Sequence, residues 1–243
     1  RFDSAGNPLH SAKAPFHQAQ GGATFGGPLP GGWAFFFASY EGGGAAPRKF
    51  VTIDPTTTAL LNSKGWPVAA GHVAFQDDAH QVLAKVQHQW DDGANLTLRA
   101  NYSNNTNENI EDWGGHVARS AGIVDLRHDW AVAATHKNVI SHWLVDLRGQ
   151  ASSQLIENRS LDPTCQGACV GNFSGGPLVE IVGRATAGRH RITPNPAQED
   201  LLQGKGSVTF VGSRHLFKTG AEVNRSTLTS SLPLHFGGRY IFA

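Results

Sequence analysis

The stretch Ala94-Asn-Leu-Thr-Leu-Arg-Ala-Asn-Tyr-Ser103 decides the fold class. Ala94, Leu96, Leu98, Ala100 and Tyr102 fall on one side of an extended chain, and Asn95, Thr97, Arg99, Asn101 and Ser103 on the other. Successive side chains of a strand point to opposite faces, so this alternation specifies a strand with one apolar and one polar side. The same period recurs along the chain. Val82, Ala84, Val86 and Trp90 oppose Lys85, Gln87 and Gln89, and Leu202, Gly204, Gly206, Val208 and Phe210 oppose Gln203, Lys205, Ser207 and Thr209. From Val139 to Ala151, Val139, Trp143, Val145 and Leu147 oppose His142, Asp146, Arg148 and Gln150, with Ile140 and Leu144 as exceptions. Helical spacing is confined to Thr56–Asn62. The class is all-β.

The connections carry more information than the strands. Expected strands lie near 17–29, 33–41, 80–90, 94–104, 117–132, 138–157, 200–211, 215–228 and 236–243. Tight links follow the first, third, fifth and seventh: Pro30-Gly31-Gly32, Asp91-Asp92-Gly93, the residues around Thr135, and Gly212-Ser213-Arg214. Gly-Gly and Asp-Gly supply the positive φ of hairpin turns. Long links, roughly 42–79, 105–116 and 158–199, follow the second, fourth and sixth. Tight turns on one side and large loops on the other describe an antiparallel up-and-down transmembrane β-barrel. The expected strands are also long enough to cross a bilayer at a tilt. Trp33, Tyr40, Trp90, Trp130 and Tyr240 fall near expected strand ends, where interfacial aromatic girdles belong, whereas Trp143 falls inside an expected strand.

Composition narrows the alternatives. The 243 residues suffice for one large all-β domain. Lys+Arg total 20 against Asp+Glu 19, which gives a nucleic-acid partner no electrostatic support. The longest apolar run, Trp33–Ala38, is far too short for a spanning helix, a limit that does not touch a barrel. There is no Met and no signal-peptide pattern, so the chain is expected to be a processed product or part of a longer protein.

A family resemblance rests on Pro15–Gly42, PFHQAQGGATFGGPLPGGWAFFFASYEG. This run resembles a signature of TonB-dependent outer-membrane transporters, closest to the Oar-like branch with its carboxypeptidase-regulatory-like domain. Further segments resemble that family in the same order: PTTTALLN (55–62), AKVQHQWDDGANLTLRANYS (84–103), GSRHLFKTGAEVNRS (212–226) and FGGRYIFA (236–243). The resemblance implies residues 1–243 as an incomplete barrel domain, with the plug and the later strands outside it. It implies uptake of a scarce nutrient across the outer membrane, with outer-membrane lipid, the protein's own plug, the TonB complex and a small-molecule, peptide or glycan ligand as partners. Lys85, Arg99, Asp146, Arg148, Lys205, Lys218 and Glu222 would line the lumen or meet the plug, and the long loops would capture the ligand. Gly21, Gly22, Gly26 and Gly27 would leave room for curvature or for a closely packed plug. Cys165 and Cys169, the only cysteines, read as a small loop disulfide in an exported protein.

Two other classes compete. CQGACVGNFSGGPLV (165–179) resembles the nucleophile motif of trypsin-like serine proteases, with Ser174 as nucleophile and His136 as base. Phe173 stands where that motif needs Asp, and only 38 residues separate Ser174 from His136. The second competitor is a soluble β-sandwich binding module, since any half-buried antiparallel sheet alternates. The glycines of the first hairpin do not make a phosphate loop, because Gly27 is followed by Pro28-Leu29. The 12 His are scattered, and His88 and His128 fall in the apolar register. No catalytic residue, metal site or cofactor is expected.

Overall fold

A computed structural model describes residues 16–108, 113–162, 176–235 and 237–243. The first half runs β1 (Gln18–Pro28), β2 (Phe35–Ala45), β3 (Arg48–Val51), α1 (Pro55–Ser63), β4 (Gly71–Ala74), β5 (Asp77–Gln89) and β6 (Asn95–Asn107). A short 3-10 turn (Arg119–Ala121) leads to β7 (Ile123–Ile140) and β8 (Trp143–Ser160). The rest is β9 (Leu178–Ile181), β10 (Ala185–Gly188), β11 (Asn195–Val211), β12 (Leu216–Ser230) and β13 (Arg239–Phe242).

Eight strands form one antiparallel meander in the order β1-β2-β5-β6-β7-β8-β11-β12. Each strand pairs with the next long strand in sequence, which is the up-and-down topology the link lengths anticipate. β1 and β12 are the two edges and do not pair with each other, so the sheet is an open section of a barrel wall. β7 and β8 are each 18 residues long, well beyond the roughly 9–11 that a tilted strand needs to cross a bilayer.

The tight turn expected around Thr135 is instead Ser141-His142, with Ile140 and Trp143 paired across it. Thr135 lies inside β7, opposite Thr97 and Arg148. Ser141 takes φ of 54°, the left-handed conformation a two-residue hairpin requires, with no glycine to advertise it. The correction separates Val139 from Trp143: they belong to different strands, and Val139 shares a face with its partner Leu144. Trp143 therefore opens β8 instead of lying inside a strand. The Asp91-Asp92-Gly93 turn behaves as read. Gly93 has φ of 86° and donates its N–H to the Trp90 carbonyl at 3.0 Å.

Segment 236–243 does not extend the large sheet. Arg239–Phe242 runs parallel to β9 in a separate sheet ordered β10-β9-β13, so Tyr240 contributes nothing to a girdle on the large sheet. The four glycines of β1 differ in their surroundings. A Cβ on Gly22 would lie 2.6 Å from the Tyr40 carbonyl oxygen and one on Gly26 2.9 Å from that of Phe36, whereas Gly21 and Gly27 face open space.

The buried core lies in the long links and not beneath the large sheet. Val51, Ile53, Leu61, Val68, Trp113, Ala118, Leu161, Val179, Ala185 and Ala187 pack together there. Helix α1 enters this core through Leu61. Its start is set by Asp54, whose carboxylate accepts from the Thr57 N–H at 2.9 Å and the Thr57 hydroxyl at 2.7 Å, with Pro55 in the first turn. A sandwich would bury one face of its sheet under a second sheet. Here Phe25 and Val223 on the large sheet remain 71% and 70% exposed, and the other sheets have three and two short strands. The sandwich reading is set aside on that ground.

Candidate functional site: a polar sheet face and a loop cap

Strand register sorts the large sheet into two chemically different faces. One carries Leu98, Val132, Leu202 and Val223 across β6, β7, β11 and β12, with Ala84, Ala100 and Ala151 between them. Leu98, Val132, Leu202 and Val223 are all exposed, in contact with no protein core.

Aromatic belts bound this apolar band. Toward the long links, Tyr40, Val82, Tyr102 and Trp130 form one cross-strand row. There the Tyr40 hydroxyl lies 2.9 Å from His80 Nδ1, and the two rings stack with centroids 6.1 Å apart. Toward the tight turns, His88 contacts Trp33 and Trp90 at 5.8 and 4.3 Å between centroids, and Trp90 contacts His136 at 6.1 Å. Trp143 contacts Phe210 at 4.9 Å in the same belt. Trp130 and Ile140 mark the two boundaries on β7, ten residues apart on one face. At ~3.3 Å per residue and a tilt near 40°, that spacing gives a band ~25 Å tall, the height of a lipid-facing zone.

The opposite face gathers all seven charged residues singled out from sequence. Lys85 and Arg99 are direct cross-strand partners. Arg148, Lys205 and Glu222 form one row across β8, β11 and β12. Asp146 sits two residues from Arg148 on the same side, and Lys218 pairs with Thr209 on it. Arg148 donates to Asp146 at 2.8 and 2.9 Å, and Lys205 lies 3.4 Å from Glu222. Arg99 Nε donates to Asn101 at 3.1 Å.

Sequence reasoning missed a second belt on this face. Glu41, Gln81, Ser103, Asp129, Gln154 and Glu199 form a continuous row nearer the long links. Ser103 donates to Asp129 at 3.2 Å and Ser226 to Glu199 at 2.8 Å. The face is thus acidic toward the long links and basic toward the tight turns. A trough of about 630 Å³, lined by Glu41, Arg99, Asp129, Gln150, Ser152 and Glu199 among others, crosses the boundary between the belts. Period-2 alternation marks each of these residues as polar-facing; that the three carboxylates share one row depends on register, which sequence does not print.

The long links close into a cap. Glu108 accepts from one Arg119 nitrogen at 2.7 and 2.8 Å and from the Gln76 N–H at 3.1 Å, while its own carbonyl accepts from Trp113 Nε1 at 2.9 Å. One carboxylate therefore ties the run into β5 to the link between β6 and β7. The hydrogen bonds with Thr57 hold the Asp54 carboxyl below the usual carboxylate range. Burial pulls the Arg189 guanidinium down from its ordinary value, with Asp162 opposing the shift.

Of the protease reading's two residues only His136 lies among the described residues. That residue sits within the sheet between Leu96 and Leu147, on the apolar face. Ser174, Cys165 and Cys169 lie outside the described residues. His88 and His128 occupy the apolar-face register of β5 and β7, as read from sequence. Among the described residues no cluster of His, Cys, Asp and Glu has the makings of a metal site.

A family model described as "Outer membrane beta barrel domain" matches residues 45–243. No curated protein matches the sequence. The crystal structure of the outer membrane transporter YddB from Escherichia coli superposes with a TM-score of 0.61 at 9% identity, over 87% of this chain and 26% of that one. The likeness is one of fold, and the chain spans about a quarter of that transporter's length.

Proposed function

Because the chain belongs to the outer membrane beta barrel domain family, its place is the outer membrane, and we propose that it is part of the barrel wall of an Oar-like, TonB-dependent transporter. That family is not an enzyme family, and no covalent chemistry belongs to this reading. In this reading the apolar band meets outer-membrane lipid, the tight turns face the periplasm and the capped long links face outward. The polar face, with Lys85, Arg99, Asp146, Arg148, Lys205, Lys218 and Glu222, lines the lumen and receives the plug. The TonB complex pulls on that plug to drive uptake of a scarce small-molecule, peptide or glycan nutrient captured by the cap. Cys165 and Cys169 close a small disulfide in the longest link, testable by thiol alkylation with and without reductant.

The observation that carries the reading is the cross-strand placement of like charges. Lys85 stands directly opposite Arg99, and Arg148 opposite Lys205. Like charges in direct register destabilise a bare sheet. Glu222 and Asp146 relieve Lys205 and Arg148, and a plug surface bearing carboxylates would relieve the rest.

The test is nutrient-dependent growth and uptake of radiolabelled nutrient in cells carrying the full-length gene, with and without a functional TonB complex. Uptake that stops when TonB is removed supports the proposal; equal uptake without TonB would leave a passive barrel.

A further inference from the structure

The cap holds a second concavity, separate from the polar sheet face. It encloses about 280 Å³ between β9, β10, the residues after β10 and the approach to β13. Two guanidinium groups and two imidazoles line it: Arg191 and Arg239, His190 and His235. The single acidic side chain lining it, Glu180, is engaged by Arg239 in an ion pair. Arg191 is exposed, and among the described residues its guanidinium has no carboxylate partner. The arrangement leaves an excess of positive charge at the mouth of a concave site, with the Thr186 side chain on its wall.

His235 supplies an independent sign. It adopts φ of 49°, one of two non-glycine residues in the left-handed region among the described residues; the other, Ser141, is accounted for by a hairpin turn. His235 lies in the turn that leads into β13, not in a hairpin. Instead the His235 N–H donates to the Arg191 carbonyl at 2.7 Å, and Gly238 N–H donates back to His235 at 2.8 Å. A left-handed histidine costs on the order of 1 kcal/mol, and such conformations cluster at ligand clamps. Here its cost holds an imidazole beside Arg191.

We propose that this concavity binds an oxyanion: the carboxylate or phosphate group of a small solute, held by Arg191 and Arg239 with His190 and His235 at its sides. A volume near 280 Å³ lies just under the ~300–1,000 Å³ of drug-sized sites, which suits one small polyanion or a single head group. Guanidinium groups match planar carboxylate and tetrahedral phosphate geometry through paired N–H donors. The inference deepens the uptake reading by naming a cargo class, and it rests on that reading only for the step from binding to transport. A lipid head-group phosphate of the outer leaflet has the same chemistry, so the test separates the two sources.

The test is calorimetric titration of the full-length protein, in zwitterionic detergent, with citrate, with inorganic phosphate and with lipopolysaccharide micelles. Saturable binding of citrate or phosphate, weakened at least ~10-fold in Arg191→Glu and less in Arg191→Lys, which keeps the charge but loses the paired donors, supports a small-solute site. Binding of lipopolysaccharide alone, with the same dependence on Arg191, assigns the oxyanion site to the lipid. Arg191 is joined to its neighbour through its backbone carbonyl, so its side chain can be changed without touching that contact. Arg214→Ala, exposed in the tight turn between β11 and β12, serves as the control that leaves binding unchanged. No saturable binding of any of the three, or binding indifferent to Arg191→Glu in a variant with native circular dichroism, would overturn the proposal. Loss of TonB-dependent uptake with citrate binding intact would count against the transport reading alone.

Discussion

Arg119 donates from a single guanidinium nitrogen to both carboxylate oxygens of Glu108, at 2.8 and 2.7 Å, which closes the link between β6 and β7, and Glu108 also accepts from the Gln76 N–H at 3.1 Å, which ties that link to the run into β5. Glu108 is 11% exposed at its side chain and Arg119 36%, so the pair is sheltered without being sealed. Glu108→Ala is expected to lower the stability of the cap by ~1–2 kcal/mol, since it leaves the half-buried guanidinium and the Gln76 N–H without their acceptor. Limited proteolysis should then open segment 113–122 while the strands stay protected. Unchanged cleavage would show that the apolar core alone holds the cap.

Val132 and Ala131 are neighbours on β7 that face opposite ways, Val132 into the apolar band and Ala131 onto the polar trough. Val132→Arg is expected to cost ~2–4 kcal/mol in lipid vesicles, because a cation near the bilayer midplane loses its hydration. Ala131→Arg should cost less than about 1 kcal/mol. Denaturant titration of both variants in the same vesicles measures the difference, and equal costs would remove the assignment of the two faces.

Trp130 and Trp143 are placed at the two boundaries of the band. In single-tryptophan variants, lipids brominated high on the acyl chain should quench both more strongly than lipids brominated near the chain end. A tryptophan introduced by Leu98→Trp should show the reverse order. Strong deep quenching of Trp143 would move the turn-side belt into the membrane interior.

The lowered Asp54 carboxyl gives the helix cap a pH dependence whose direction is set. A carboxyl whose pKa falls on folding stabilises the fold above its unfolded value, and that contribution fades as pH drops through the lowered folded value. Hydrogen-exchange protection of Leu60–Ser63 in α1 should therefore decrease on acidification below the ordinary carboxylate range. Asp54→Ala should show the reduced protection at neutral pH and little further acid response. A variant with the same acid response as the parent would place the effect in another group.

Much of this was legible from residues alone. The Ala94–Ser103 alternation predicts β6, and the order of short and long links predicts the meander without crossovers. Helix α1 was readable because Asp54, Pro55 and the leucines obey local capping rules that need no distant partner. The turn after β7 was not, because Ser141-His142 carries no glycine, and the apolar residues on both sides continue one plausible pattern through it. The C-terminal segment failed for another reason. Arg-Tyr-Ile-Phe has strand propensity, but propensity does not say which strand it joins, and the parallel pairing with β9 depends on how the links fold.

Local periodicity, a backbone property repeated every two residues, was enough to determine the strands, the two-faced character of the sheet and the side on which each of the seven charged residues lies. Which residues share a row was decided only by tertiary structure, because a shift of register changes every cross-strand neighbour while leaving the alternation intact. The acidic belt of Glu41, Asp129 and Glu199, the opposition of Lys85 and Arg99, and the meeting of Arg191 with His235 across 44 residues of chain all belong to that second kind.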